Sequence, residues 1–265
     1  SSDVCSSDLF ISGGKNAQRA TSCTNAAYHP AVNAQKPRCI ELRRYFMQLL
    51  ALPETVPAGI EVWLLTLNLQ APLHDTDLSI LNDSERNHAA SLRFHEDRVR
   101  SVTARAALRR LLAPRVSAAP ETLVFTANEY GKLCLKKHAH IEFNVSHAGG
   151  FALIALSVRQ RVGVDIEHTD RPIDVHSLLR HVLSPLEHQS VPMTQQTFMQ
   201  HWVAKESALK ALGYGITEHL QAVSIIAGDS KDYQIICDYP SWPKLKGWRL
   251  DLPTDGYLAA LTVEC

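Results

Sequence analysis

GVDIEH, residues Gly163 to His168, is the stretch on which the reading of this chain turns. Its glycine and alternating aliphatics predict a buried strand, yet Asp165 and Glu167 stand two residues apart in it. Side chains two apart on a strand share a face. Two carboxylates held side by side repel and raise each other's pKa unless a cation stands between them. The plainer reading is an edge strand with both charges in water. The rest of the chain decides between the two.

HWVAKESALKALGYG, residues 201–215, predicts a helix with an apolar stripe of Trp202, Leu209 and Leu212. Gly213 and Gly215 end it as C-terminal glycines do. Glu206 and Lys210 lie one turn apart and can pair, an arrangement that usually marks a solvated face. Beside the strand carboxylates, however, Glu206 makes a third oxygen donor. Hard divalent ions such as Mg²⁺ take a few carboxylates, keep several waters and fill the remaining positions with phosphate oxygens. The pattern points to Mg²⁺ at Asp165, Glu167 and Glu206, facing a phosphate-bearing substrate.

A phosphate needs cationic partners. Eight arginines lie between Arg86 and Arg115, with Arg98, Arg105 and Arg109 at helical spacing and Arg100 on a neighbouring stripe. FNVSHAGG, residues 143–150, ends a strand in Ser146, His147 and two glycines, a turn that offers backbone N–H groups and a histidine to an anion. EYGK, residues 129–132, sets Lys132 just beyond another glycine turn. Taken singly, these read as a solvated basic surface and tight hairpins. A nucleic-acid surface is disfavoured because no exposed aromatics interleave with the arginines.

The chain has 265 residues, 27 basic and 27 acidic, so the whole molecule is not a polyanion binder. Its six cysteines show neither CxxC spacing nor a His/Cys cluster, and are expected to be reduced thiols in a cytoplasmic protein. No apolar run approaches the ~20 residues that span a bilayer, and the N-terminus lacks the order of a signal peptide. No membrane association is expected.

Residues 1–57 read as a disordered or non-native extension, within which only residues 39–52 suggest a helix. A strand is expected at 60–67, and helices at 82–92, with Asp83 as N-cap, and at 94–114. Short strands follow near 123–126, 132–135, 141–145 and 151–157. The order then repeats: a strand at 162–167, helices near 174–182, from Ser184 and at 194–212, then strands near 222–227, 233–237, 247–252 and 257–263. The fold class is α+β, two similar α/β halves at 58–160 and 161–265, with the site in the cleft between them.

GVDIE at 163–167 followed by WVAKESALKALG at 202–213, with YGK, NVSH and LSPLE (130–132, 144–147, 183–187) in order, resembles the phosphopantetheinyl transferase superfamily. The resemblance is to its larger, two-half surfactin-type class and covers roughly residues 60–265. It implies transfer of 4′-phosphopantetheine from coenzyme A to a serine of an acyl or peptidyl carrier protein, releasing 3′,5′-ADP. It further implies Mg²⁺, or Mn²⁺ in its place, at Asp165, Glu167 and Glu206, with Lys210 on the phosphate near the reacting centre. Arg100, Arg105, Lys132, Ser146 and His147 would hold coenzyme A. Glu187 matches a position sometimes assigned as metal ligand or base, and Glu206 or a metal-bound water would take the serine proton. A monomer suffices for such a site. The proline that often follows YGK is Leu133 here. Two other readings are a non-catalytic carrier-binding module and another Mg²⁺-dependent nucleotide enzyme. The three carboxylates weigh against the first, and the lack of a GxxxxGK[ST] loop against the second.

Overall fold

The computed structural model describes residues 39–42, 45–189, 194–228 and 231–265. In the first half, β1 (Cys39–Leu42), β2 (Tyr45–Leu49), β3 (Glu61–Leu67), β6 (Ile141–Ala148) and β7 (Phe151–Val158) form an antiparallel sheet in the order β1-β2-β3-β7-β6. Between β3 and β6 come α1 (Asp75–Leu78), α2 (Asp83–Ser91), α3 (His95–Leu112) and a small hairpin of β4 (Phe125–Ala127) and β5 (Leu133–Leu135). The second half opens with β8 (Val162–His168), α4 (Val175–Val182), α5 (Gln195–Leu212) and α6 (Ile216–His219). It closes with β9 (Val223–Ala227), β10 (Asp232–Cys237), β11 (Leu245–Arg249) and β12 (Tyr257–Glu264), in a sheet ordered β8-β12-β11-β10-β9.

Each sheet carries one 18-residue helix, α3 on the first and α5 on the second. Their apolar faces close two cores, Ala104, Leu108 and Leu112 against Trp63 and Ile154, and Phe198, Trp202 and Leu209 against Val223 and Ala260. A third core joins the sheets: Val62, Leu64 and Leu153 of the first meet Val162, Val164 and Ile166 of the second. β8, at the edge of its own sheet, is therefore buried along nearly its whole length. The Asn144 side chain accepts a hydrogen bond from Val164 N at 2.9 Å, satisfying an edge N–H across the seam. No helix among the described residues is long and apolar enough to cross a membrane.

The helix expected over residues 39–52 is not formed; β1 and β2 pair there, and buried Tyr45 and Met47 flank exposed Phe46 with the period of a strand. β2 pairs with β3, and its Tyr45 and Met47 fill the first core. The expected disorder of the first ~35 residues falls outside the described residues. The helix expected from Ser184 is a short 3₁₀ turn, Glu187–Gln189, opened by a reciprocal pair in which Ser184 N donates to the Glu187 carboxylate at 2.7 Å and Glu187 N to Ser184 Oγ at 3.3 Å. The cap of α2 is Asn82 rather than Asp83, in a reciprocal capping box with Glu85.

Candidate active site at the seam of the two halves

Strand alternation sends Val162, Val164 and Ile166 into the inter-sheet core and Gly163, Asp165 and Glu167 toward α5. Gly163 is what lets the helix come close. A Cβ there would lie 2.1 Å from Ser207 O and 2.4 Å from Ala211 N. With backbone against backbone at this point, Glu206 on α5 is brought to the strand carboxylates. One oxygen from each of Asp165, Glu167 and Glu206 lies within 4.8 Å of the others, and all three residues are buried. The edge strand with carboxylates in water is not what forms: Asp165 and Glu206 are 0 % exposed.

Cations meet the carboxylates from two directions. Lys210 Nζ donates to Asp165 Oδ1 at 2.6 Å and stands 3.7 Å from Glu206 Oε2. Arg171 Nη1 meets Glu167 Oε1 at 3.1 Å. From the first half, Ser146 Oγ donates to Asp165 Oδ1 at 2.8 Å and accepts from Lys210 Nζ at 3.1 Å. Asp165 Oδ2 is buried and lacks a hydrogen-bond partner among the described residues. A buried carboxylate oxygen left unsatisfied costs free energy, and a cation on that side removes the cost. Three carboxylates with such an orphaned oxygen suit a hard divalent ion such as Mg²⁺.

The other expected coenzyme A residues divide. Arg100 Nε donates to Gly149 O at 3.0 Å, so it reaches the β6–β7 turn two residues beyond His147. His147 is half-buried and alternates away from Ser146, to the face where Phe143 and Val145 pack toward α3. Arg105 is engaged within the first half, 3.3 Å from Glu85 Oε1 and over the Phe125 ring at 5.4 Å. Lys132 lies behind the end of α5, donating to Ala211 O at 2.8 Å with Glu142 Oε2 at 3.5 Å. Burial pushes its ammonium below the usual lysine range, against the pull of Glu142.

Glu187 is not in the cluster. Its carboxylate accepts from Ser184 N and Ile225 N and pairs with Lys205 at 2.7 Å, both side chains buried. The sequence reading missed Lys205 and Arg171. Arg171 sits four residues past Glu167, a spacing that carries no meaning once the strand has ended. Lys205 sits beside Glu206 in a helix whose facing partners the sequence does not show.

Residues 161–262 match the family model described as the 4′-phosphopantetheinyl transferase superfamily, and residues 72–159 match that of the 4′-phosphopantetheinyl transferase N-terminal region. The chain is 31 % identical over 170 residues to a Synechocystis protein bearing the 4′-phosphopantetheinyl transferase name, covering 62 % of this chain and 68 % of that one. To the transferase HetI of Nostoc it is 27 % identical over 213 residues, 77 % of this chain and 87 % of the relative. To Sfp of Bacillus subtilis it is 26 % identical over 153 residues, 56 % and 67 % respectively. The chain belongs to the 4′-phosphopantetheinyl transferase superfamily, a family of enzymes.

Proposed function

We propose that this chain transfers 4′-phosphopantetheine from coenzyme A to a serine of an acyl or peptidyl carrier protein. The observation that carries this is the convergence of Asp165, Glu167 and Glu206 with Lys210 and Ser146 at the seam of the halves. Asp165, Glu167 and Glu206 are the residues that would hold Mg²⁺. Bound there, the metal supplies neutralisation of the charge that grows on the leaving 3′,5′-ADP.

The serine oxygen bonds to the β-phosphorus of coenzyme A as the phosphorus–oxygen bond to 3′,5′-ADP breaks. The serine proton leaves to a base, for which Glu206 is this chain's candidate. Lys210, held between Asp165 and Glu206, is placed to turn its ammonium onto a phosphate oxygen. Arg100, which reaches from α3 to the β6–β7 turn, and His147 near the end of β6 are the proposed contacts for the nucleotide end. Such transfer depends on positioning and charge neutralisation more than on covalent chemistry by the protein. We also place the division between halves near residue 160 and the enzyme in the cytoplasm, acting as a monomer. Incubation with coenzyme A, Mg²⁺ and an apo-carrier protein, followed by intact mass, tests the reading. The expected result is a gain of one phosphopantetheine; an unchanged carrier from a folded enzyme overturns it.

A further inference from the structure

Two buried polar residues flank Glu206 on α5, and each is tied to a different neighbour. On one side, Lys205 donates to Glu187 Oε2 at 2.7 Å, to Leu220 O at 2.8 Å and to Val223 O, so all three of its N–H groups are used. Glu187 is equally committed, to Ser184 N at 2.7 Å and Ile225 N at 2.8 Å, and Ser184 Oγ is met by Ser224 Oγ at 2.7 Å. On the other side, Ser207 Oγ lies 2.7 Å from Thr262 Oγ1 on β12.

A buried ion pair is weak support for stability, because desolvation offsets most of the attraction; a hydrophobic pair of similar volume often serves as well. What a fully satisfied pair adds is direction. Lys205 fixes α5 in rotation and register against the 220–223 turn and β9, while Gly163 sets its distance from β8. The residue held between these constraints is Glu206.

We propose that Glu187 and Lys205 are positioning residues that aim Glu206 at the strand carboxylates, and that Glu187 is neither metal ligand nor base. This rests on the reading that Asp165, Glu167 and Glu206 hold the metal. Loss of groups that orient metal ligands typically weakens binding about 10- to 100-fold.

The test is Mn²⁺ titration by electron paramagnetic resonance on wild type, Glu206→Gln and the double variant Lys205→Met/Glu187→Gln. The double variant removes both charges, so neither is left buried alone, and a single cooperative melt checks its fold. The expected result is binding by wild type, loss in Glu206→Gln, and affinity about 10- to 100-fold weaker in the double variant. Transfer by the double variant should recover at saturating Mg²⁺, since Glu187 takes no proton. Double-variant affinity equal to wild type, with Glu206→Gln impaired, overturns the positioning role alone. A transfer rate that stays low at saturating Mg²⁺ overturns it in favour of a direct role for Glu187. Equal binding by wild type and Glu206→Gln removes the metal reading, and the positioning role with it.

Discussion

Lys210 Nζ stands 2.6 Å from Asp165 Oδ1 and 3.7 Å from Glu206 Oε2, so one ammonium spans the strand carboxylate and the helix carboxylate. The repulsion built into GVDIEH is therefore relieved within the chain by Lys210, and by Arg171 at Glu167. A divalent ion held by Asp165, Glu167 and Glu206 would share Asp165 with Lys210 and leave the ammonium to meet a phosphate.

Removing that ammonium separates its structural from its chemical role. Lys210→Met takes the ammonium away from buried Asp165 and Glu206, and in chelator the expected loss is up to about 3 kcal/mol, the low end for breaking a buried pair because Lys210 is partly exposed. Added Mg²⁺ should stabilise the variant more than wild type. Urea denaturation in chelator and in Mg²⁺ measures both. Equal stability in chelator would show that Lys210 is not the counter-charge.

The approach of α5 to β8 depends on one missing Cβ. Gly163→Ala places a methyl against helix backbone at 2.1 and 2.4 Å, so the helix carrying Glu206 must move. The expected loss is about 1–3 kcal/mol, with weaker Mg²⁺ binding. Gly150→Ala is the comparison: its nearest atom is at 3.5 Å, and stability should hold within about 0.5 kcal/mol. Denaturation midpoints of the two variants decide it.

Much of this was legible in the sequence. The two carboxylates of β8 and Glu206 with Lys210 on α5 were readable because strand period and helical spacing fix which side chains share a face. β2 was misread because a five-residue strand next to charged residues resembles a helix until its pairing with β3 is seen. The basic residues divided for a similar reason. Spacing placed Arg105 beside Arg109 but not the Glu85 carboxylate that binds both. Glu187 carried a motif position, yet only the tertiary structure shows Lys205 against it.

Arg105 and His147 are expected to behave differently. Arg105→Ala should lower stability through the Glu85 contact and leave the preference for coenzyme A over dephospho-coenzyme A intact. His147→Ala should reduce that preference, by about 1.5–3 kcal/mol if it makes a charge-assisted contact with the 3′-phosphate. Calorimetric titration with both ligands measures this. Equal losses for both ligands in His147→Ala would remove it from the phosphate site.

Lys132 gives a pH dependence with a defined sign. Burial holds its folded-state pKa below that of the unfolded chain, so between the two values the unfolded state binds more protons and stability rises with pH. The desolvation penalty is present in full below the folded-state value and is relieved as pH climbs toward the ordinary lysine value of about 10.4. The stability of wild type relative to Lys132→Met should therefore increase through that window. A difference that stays flat or falls, measured by urea denaturation at stepped pH, contradicts the buried placement behind α5.

The most direct test of the central claim is the thermal melt of wild type and Asp165→Asn, each with and without Mg²⁺ plus coenzyme A. The substitution keeps shape but removes the charge shared by Lys210, Ser146 and the proposed metal. Wild type should gain about 2.7 kcal/mol at a hundredfold excess over Kd, and the variant little. If Asp165→Asn gains as much as wild type and still modifies a carrier protein, the buried carboxylates are not the centre of the reaction.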